Sequence, residues 1–206
     1  MISWSDVGIV LSAKKYGEKY KIVNVFTKKH GKISAMVSIS KNNTFAIFSN
    51  VELDYSAKSV DSLGFWRLRS EKQTWVFSMN SENHILVCQS ICFLLSKVLP
   101  LGVCHERLFE FTRYISDNLQ LFSKKDIMLL YAYFEFILLD DIGFGMDIDD
   151  IYYIPKVENF YELFNLLNSD VMTENARRSL SITGDAIERN LLNIDNYYRS
   201  SIVRLL

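Results

Sequence analysis

Cysteine is scarce in this chain, and the cysteines it has show no regular spacing. Three cysteines cannot all pair, so the sequence lacks a disulfide framework and indicates a reducing compartment. Long apolar runs are also missing: the longest uncharged run, residues 83–96, is shorter than the roughly 18–20 apolar residues of a spanning helix. The first residues lack the basic and apolar regions of a secretory signal, so we expect a cytoplasmic protein.

Catalytic signatures are missing as well. The chain has no G-x-S-x-G elbow, no H-E-x-x-H zinc motif and no Walker sequence. Gly143-Phe144-Gly145 is too short for a dinucleotide fingerprint and follows a predicted helix, which favours a helix cap and turn. The three histidines have no catalytic partners by spacing. The sequence therefore predicts a protein that is not an enzyme and needs no cofactor.

Two clusters contain residue types that bind metals. His84, Cys88 and Cys92 fall on one helical face and could supply zinc ligands, but these cysteines lie inside an apolar run, where cysteine packs as a small hydrophobic residue. The aspartates of residues 140–150 lack the alternating ligands of an EF-hand loop, which favours a solvated loop at a helix end. We therefore predict no metal site.

Opposite charges nearly cancel over the whole chain, but they are unevenly distributed. The net charge is -1, whereas residues 1–45 carry eight lysines against Asp6 and Glu18, a balance of +6. These lysines are Lys14, Lys15, Lys19, Lys21, Lys28, Lys29, Lys32 and Lys41. Such a split favours an anion-binding module joined to a second part. The alternative is a solvated lysine face that only keeps the module in solution.

The first part of the chain shows the alternating pattern of strands. Apolar residues recur with a period of two near 7–11, 20–27, 33–39, 51–58 and 65–69. Five short strands within about 70 residues fit a small closed barrel, because closure removes exposed edges. Segments 14–16 and 19–21 are predicted to lie in the loop between the first two strands, with Tyr16 as a candidate for base stacking.

The second part shows helical periodicity. Helices are predicted near residues 84–98, 105–119, 127–139, 160–167 and 186–194. Ser123 and Asp126 have the spacing of a capping box, and the following helix is predicted to stop at Gly143. We place the boundary after residue 79, which gives an α+β protein with a β-barrel in residues 1–79 and a helical domain in residues 80–206.

Short motifs spread along the chain resemble a known family. The first is Trp4-Ser5-Asp6-Val7-Gly8-Ile9-Val10-Leu11. The others are Gly17-Glu18-Lys19, Val25-Phe26-Thr27, His30-Gly31-Lys32, Phe134-Glu135, Leu138-Leu139, Ile142-Gly143-Phe144-Gly145-Met146-Asp147 and Ile182-Thr183-Gly184. In this order, they are similar to motifs of the bacterial DNA repair and recombination mediator family RecO.

This resemblance implies an OB-fold barrel, a helical domain and a role in recombinational repair. RecO proteins bind single- and double-stranded DNA, anneal strands and help load the recombinase onto DNA coated by single-stranded DNA-binding protein. They act with RecR and recognise the acidic tail of the coating protein. The chain departs from the family in having no cysteine in residues 151–156, one lysine in residues 38–44, and Ala132-Tyr133 where members often have arginine.

Two sets of cations follow as hypotheses for the sites. We predict that the eight lysines of residues 1–45 bind DNA phosphates. We predict that Lys97, Arg107 and Arg113 of the helical part bind an acidic partner segment. The alternative is a protein adaptor whose barrel has lost DNA binding, and a metal-dependent nuclease using the aspartates of residues 140–150 is a remote third reading.

Overall fold

The computed structural model describes residues 1–39, 46–60, 62–70 and 82–143. The chain divides into two compact units. The first, the barrel unit, consists of Met1–Val76 and Cys92–Asp117, and the second unit consists of Phe77–Ile91 and Asn118–Leu206. The predicted domain boundary after residue 79 falls outside the described residues and stays a prediction.

Five strands form a closed barrel in the barrel unit. They are β1 (Ile2–Tyr16), β2 (Tyr20–Thr27), β3 (Gly31–Ser38), β4 (Asn50–Ala57) and β5 (Gly64–Ser70). Their order is β1-β2-β3-β5-β4, and β4 pairs with β1 to close the barrel. These pairs are antiparallel except for β3 with β5. This is an OB-fold arrangement, and together with the helices that follow, it confirms the predicted fold class.

The interior of the barrel is filled mainly by small and β-branched residues from alternate strand positions. They are Val10, Val23, Val25, Ala35, Val37, Val51, Leu53 and Leu68. Trp66 joins this core, and its indole N–H donates to the carbonyl of Val23 at 3.1 Å. Trp4 and Tyr55 pack on the edge of Trp66 with ring centroids 5.7 and 5.1 Å away. The period-two pattern therefore defines the inner face, as expected for strands.

The outer face of β1 and β2 is apolar too, and the later part of the barrel unit covers it. Ile9 and Phe26 are paired neighbours that are fully buried. The ring of Phe109 lies edge-on to Phe26 at 5.4 Å, and the Cys92 thiol donates to the carbonyl of Val10 at 3.7 Å. Segment 92–117 is therefore part of the hydrophobic core around the barrel.

Three helices follow the strands: α1 (Glu82–Val98), α2 (Glu106–Asn118) and α3 (Lys124–Asp141). The predicted capping box at the start of α3 is confirmed, because the Ser123 hydroxyl accepts from the Asp126 amide and the Asp126 carboxylate accepts from the Ser123 amide. None of the described helices has the length and apolar character needed to cross a bilayer. The helices predicted at 160–167 and 186–194 lie outside the described residues.

The connection between β1 and β2 differs from the prediction. Segments 14–16 and 19–21 were expected in a loop, but residues 14–16 and 20–21 continue the two strands, and the turn consists of residues 17–19 only. Lys15 pairs with Lys21, Tyr16 pairs with Tyr20, and Gly17 takes a φ of +65° at the turn. The prediction failed because residues 14–16 are all exposed, so the backbone pairing continues there without the hydrophobic alternation that would indicate a strand.

Candidate nucleic-acid interface

Several residues of the family-like motifs fix the turn between β2 and β3. The Asp6 carboxylate accepts from the amides of Val7 and Lys29, each at 2.9 Å, and lies 2.9 Å from Nδ1 of His30. The indole of Trp4 stacks on the His30 ring with centroids 3.7 Å apart. These contacts tie the turn to β1. They explain structurally why these residue types occur together, and they do not require a ligand.

Gly31 and Lys32 connect the same turn to segment 92–117. Gly31 has a φ of +69°, and a Cβ at this position would lie 1.9 Å from the carbonyl oxygen of Val103. The Lys32 ammonium donates to the carbonyl of Ser96 at 2.6 Å, and the residue is only 9% exposed. Burial, and then the nearby charge of Lys97, lower the pKa of Lys32. The side chain of Lys32 is therefore engaged within the protein.

Four of the predicted DNA-binding lysines gather at the tip of the β1–β2 hairpin. We call this tip, formed by Lys14, Lys15, Lys19 and Lys21, the lysine hairpin. Lys14, Lys15 and Lys19 are exposed and Lys21 is half-buried, and none of the four has an ion pair with a described residue. Lys15 and Lys21 lie directly opposite each other, an arrangement of like charges that destabilises a hairpin by itself. An anion bound between them would remove that repulsion.

The other predicted DNA-binding lysines have different surroundings. Lys28 forms an ion pair with Glu110 at 2.6 Å and lies 3.9 Å from Glu106. The hydrogen bond and the charge of Glu110 raise the pKa of Lys28. Lys29 is exposed beside it, and Lys41 lies outside the described residues. The structure therefore brings together the lysines of the hairpin, whereas Lys28 and Lys32 are already engaged by protein groups.

Sequence reasoning missed an aromatic and cationic face on β5. Trp66 and Leu68 point into the barrel, so Phe65, Arg67 and Arg69 point outward by strand alternation. Phe65 is 44% exposed, and its ring meets that of Tyr20 edge-on at a centroid distance of 6.0 Å. The alternation of aromatic and arginine residues was visible in the sequence, but nothing in it showed that the face stays open.

A shallow concavity of about 620 Å³ lies along this face, over β1, β4 and β5. Its lining residues are Ser3, Trp4, Ser5, Asp54, Tyr55, Ser56, Phe65, Trp66 and Arg67. Asp54 accepts from the Ser5 hydroxyl at 2.7 Å and from Nη2 of Arg69 at 2.9 Å, and these two hydrogen bonds lower its pKa. Arg67 lies directly opposite Asp54 on β5 but has no ion pair with a described residue.

The three cations predicted to bind a partner all belong to the barrel unit. Lys97 is exposed in the last turn of α1, with its ammonium 5.9 Å above the ring of Phe93. Arg107 is exposed on α2, and Arg113 on the same helix is paired with Asp117 at 3.4 Å. Their role in binding a partner stays a prediction.

The helical residues considered as zinc ligands are packed in the protein. Cys92 is buried, and burial raises the pKa of the Cys88 thiol, which opposes the thiolate that zinc requires. Nε2 of His84 lies 3.0 Å from the carbonyl oxygen of Phe122. Within the described ranges, no three residues of the types His, Cys, Asp and Glu form a group that could hold a metal. Most of the acidic stretch 140–150 lies beyond those ranges.

Comparison with known proteins agrees with the motifs and the barrel. Residues 1–66 match the family described as "Recombination protein O N terminal". The chain is 29% identical over 147 residues to the DNA repair protein RecO of Wolbachia sp. subsp. Drosophila simulans (strain wRi), a match covering 70% of this chain and 61% of the relative. It is 26% identical over 152 residues to RecO of Ruegeria sp. (strain TM1040), covering 71% and 62%. The chain thus spans about three fifths of the length of these relatives.

Proposed function

We propose that this chain is a RecO-type DNA repair protein that works by binding DNA and pairing strands, without making or breaking a bond. The match of residues 1–66 to the RecO N-terminal family and the similarity to DNA repair proteins named RecO support this proposal. The observation that carries this proposal is the lysine hairpin, where Lys15 and Lys21 face each other without a carboxylate partner among the described residues. Lysines in this arrangement suit a row of phosphates, since each contact releases a condensed counterion.

Strand annealing would follow from the same charges. Two single strands repel each other through their phosphates, and a protein that neutralises several phosphates on both lowers this barrier. The hairpin extends β1 and β2 and exposes most of its lysines, so it can contact a backbone whatever its base sequence. We further propose that this chain helps to load a recombinase onto single-stranded DNA that is coated by single-stranded DNA-binding protein.

The partners proposed are RecR and the acidic C-terminal tail of single-stranded DNA-binding protein. An acidic and hydrophobic tail needs an apolar surface beside a cation. Lys97 and Arg107 are exposed on helices of the barrel unit, and Arg113 is half-buried and lies 3.4 Å from Asp117. These three cations are the contacts proposed for the tail. Of the eight lysines first assigned to DNA, this proposal keeps the four of the lysine hairpin, whereas Lys29 is exposed in the β2–β3 turn, at the other end of β2.

A salt titration of DNA binding tests the proposal. Replacing Lys15 and Lys21 together by alanine should weaken binding to a labelled single strand. It should also make the log–log salt dependence shallower by about 1.4, since each lost phosphate contact on a single strand contributes roughly 0.7. Fluorescence anisotropy at salt concentrations of about 50 to 200 mM measures both the affinity and the slope of its salt dependence.

The matched control removes two exposed positive charges elsewhere. The double variant Lys97→Ala and Arg107→Ala loses the same net charge, and it should keep the slope of the wild-type chain. Equal losses in the two double variants would mean that only total charge matters, and the hairpin would not be the site. A wild-type chain that binds neither single strands nor duplexes, but still binds the acidic tail, would favour the adaptor instead.

A further inference from the structure

The outer face of β5 has features that phosphate binding alone does not use. Phe65 presents 44% of its surface to solvent in a concavity whose other lining residues include three serines, Ser3, Ser5 and Ser56. Single exposed hydrophobic residues are common on proteins, so exposure alone means little. Here, however, the ring borders the 620 Å³ concavity and lies next to a second aromatic ring, that of Tyr20.

The contact between Tyr20 and Phe65 is not parallel stacking. The two rings meet with an interplanar angle of 66° and centroids 6.0 Å apart, an edge-to-face arrangement. Tyr20 follows the turn of the lysine hairpin, and Phe65 follows the connection between β4 and β5. In OB-folds, the connections at these two places flank the surface that binds oligonucleotides.

Arg67 is a cation without an ion pair to a described residue, although its charge contributes to the lowered pKa of Asp54. It lies opposite Asp54, its natural partner across the strands. Asp54 is occupied, however, because one carboxylate oxygen accepts from Ser5 and the other from Arg69. Of the two outward arginines of β5, Arg69 is thus committed to Asp54, and Arg67 has no ion pair with a described residue.

We propose that Phe65 stacks on an unpaired base while Arg67 contacts the adjacent phosphate, so that the β5 face distinguishes single-stranded from duplex DNA. This inference rests on the proposed DNA-binding function and assigns a second part of it. The lysine hairpin reads only phosphates, which both forms of DNA present. In a duplex the base faces are stacked on each other, so only an unpaired strand can offer a base to Phe65.

The variant Phe65→Leu tests the stacking role in the full-length chain. Leucine keeps an apolar side chain against Tyr20 but has no aromatic face. Affinity for a single-stranded oligonucleotide should fall about tenfold. Affinity for a DNA duplex of the same length should change less than about twofold. Phe65→Tyr keeps the ring and should bind the single strand like the wild-type chain.

The arginine role has a charge-matched control on the same strand. Arg67→Gln and Arg69→Gln each remove one positive charge from β5. Arg67→Gln should weaken single-strand binding several-fold more than Arg69→Gln, because only Arg67 is free of an ion pair with a described residue. Equal effects of the two variants would overturn the assignment of Arg67.

A measurement that does not depend on a variant completes the test. A single strand containing 5-iodo-deoxyuridine, irradiated on the wild-type chain, should form a cross-link to the peptide that contains Phe65. The stacking proposal is wrong if Phe65→Leu changes the binding of single-stranded and duplex DNA equally, or changes neither, and the cross-link forms at another peptide. The proposed DNA binding is not contradicted by that result. If the wild-type chain binds neither DNA, the proposed function itself fails.

Discussion

At the scale of single residues, two glycines with nearly the same backbone conformation allow two effects to be compared. One is the cost of a positive φ for a residue with a side chain, and the other is the room available for that side chain. Gly17 and Gly31 have φ values of +65° and +69°. A Cβ on Gly17 would meet nothing within 4 Å, whereas a Cβ on Gly31 would overlap the backbone of Val103. The backbone of segment 92–117 therefore approaches the β2–β3 turn too closely for any side chain.

We expect Gly31→Ala to be far more destabilising than Gly17→Ala. The left-handed backbone should cost both variants about 1–2 kcal/mol of the free energy of unfolding. Gly31→Ala should cost a further amount of about 1–3 kcal/mol, because the backbone of Val103 must move. Urea unfolding followed by circular dichroism measures the difference. Equal losses in both variants would contradict the close approach at Gly31.

The lysines show how far sequence reasoning reaches at this scale. The charge count identified eight lysines in residues 1–45, but it could not separate Lys15 from Lys32. Lys15 is exposed at the hairpin tip, whereas Lys32 is covered and donates to Ser96, which is 64 residues away in the sequence. Whether a distant segment covers a residue leaves no signal in the local sequence. For the same reason, the sequence could not show that the face around Phe65 is exposed.

At the scale of the elements, local signals were reliable where one face is buried or a cap is present. The five strands and the three described helices were predicted, because their apolar periodicity reports a buried face. The far end of β1 was missed because Ala13 to Tyr16 is exposed. Its extension is set by pairing with β2, and that pairing holds the lysines of the hairpin opposite each other.

The start of α3 provides a test of such a local signal. Ser123→Ala removes the hydroxyl that accepts from the Asp126 amide, so we expect a loss of about 1 kcal/mol in the free energy of unfolding. Ser123→Thr keeps an accepting hydroxyl and should lose about half of that or less. Thermal unfolding followed by far-UV circular dichroism compares the two. An alanine variant as stable as the threonine variant would show that the cap contributes little.

At the scale of the whole molecule, the barrel is not completed by the first 79 residues. Phe26 and Phe48 are buried, and segment 92–117 supplies a contact to each of them: the ring of Phe109 to Phe26 and the hydroxyl of Ser116 to Phe48. The Ser116 hydroxyl donates to the carbonyl of Phe48 at 3.0 Å, and Asn50 donates to Asp117 at 2.6 Å. The sequence showed a change from strands to helices near residue 80, but a change of element type does not show which elements share a core.

Tryptophan fluorescence allows this shared core to be tested in the intact chain, because Trp4 and Trp66 belong to the barrel unit. Phe109→Ala removes a fully buried ring that contacts Phe26, a change expected to cost about 3–5 kcal/mol. The midpoint of the tryptophan fluorescence transition should therefore fall clearly. Phe134→Ala removes an equally buried ring from the second unit and should shift that midpoint less. If Phe109→Ala left the tryptophan transition unchanged, residues 1–79 would fold as a domain of their own, and the boundary predicted from the sequence would be right.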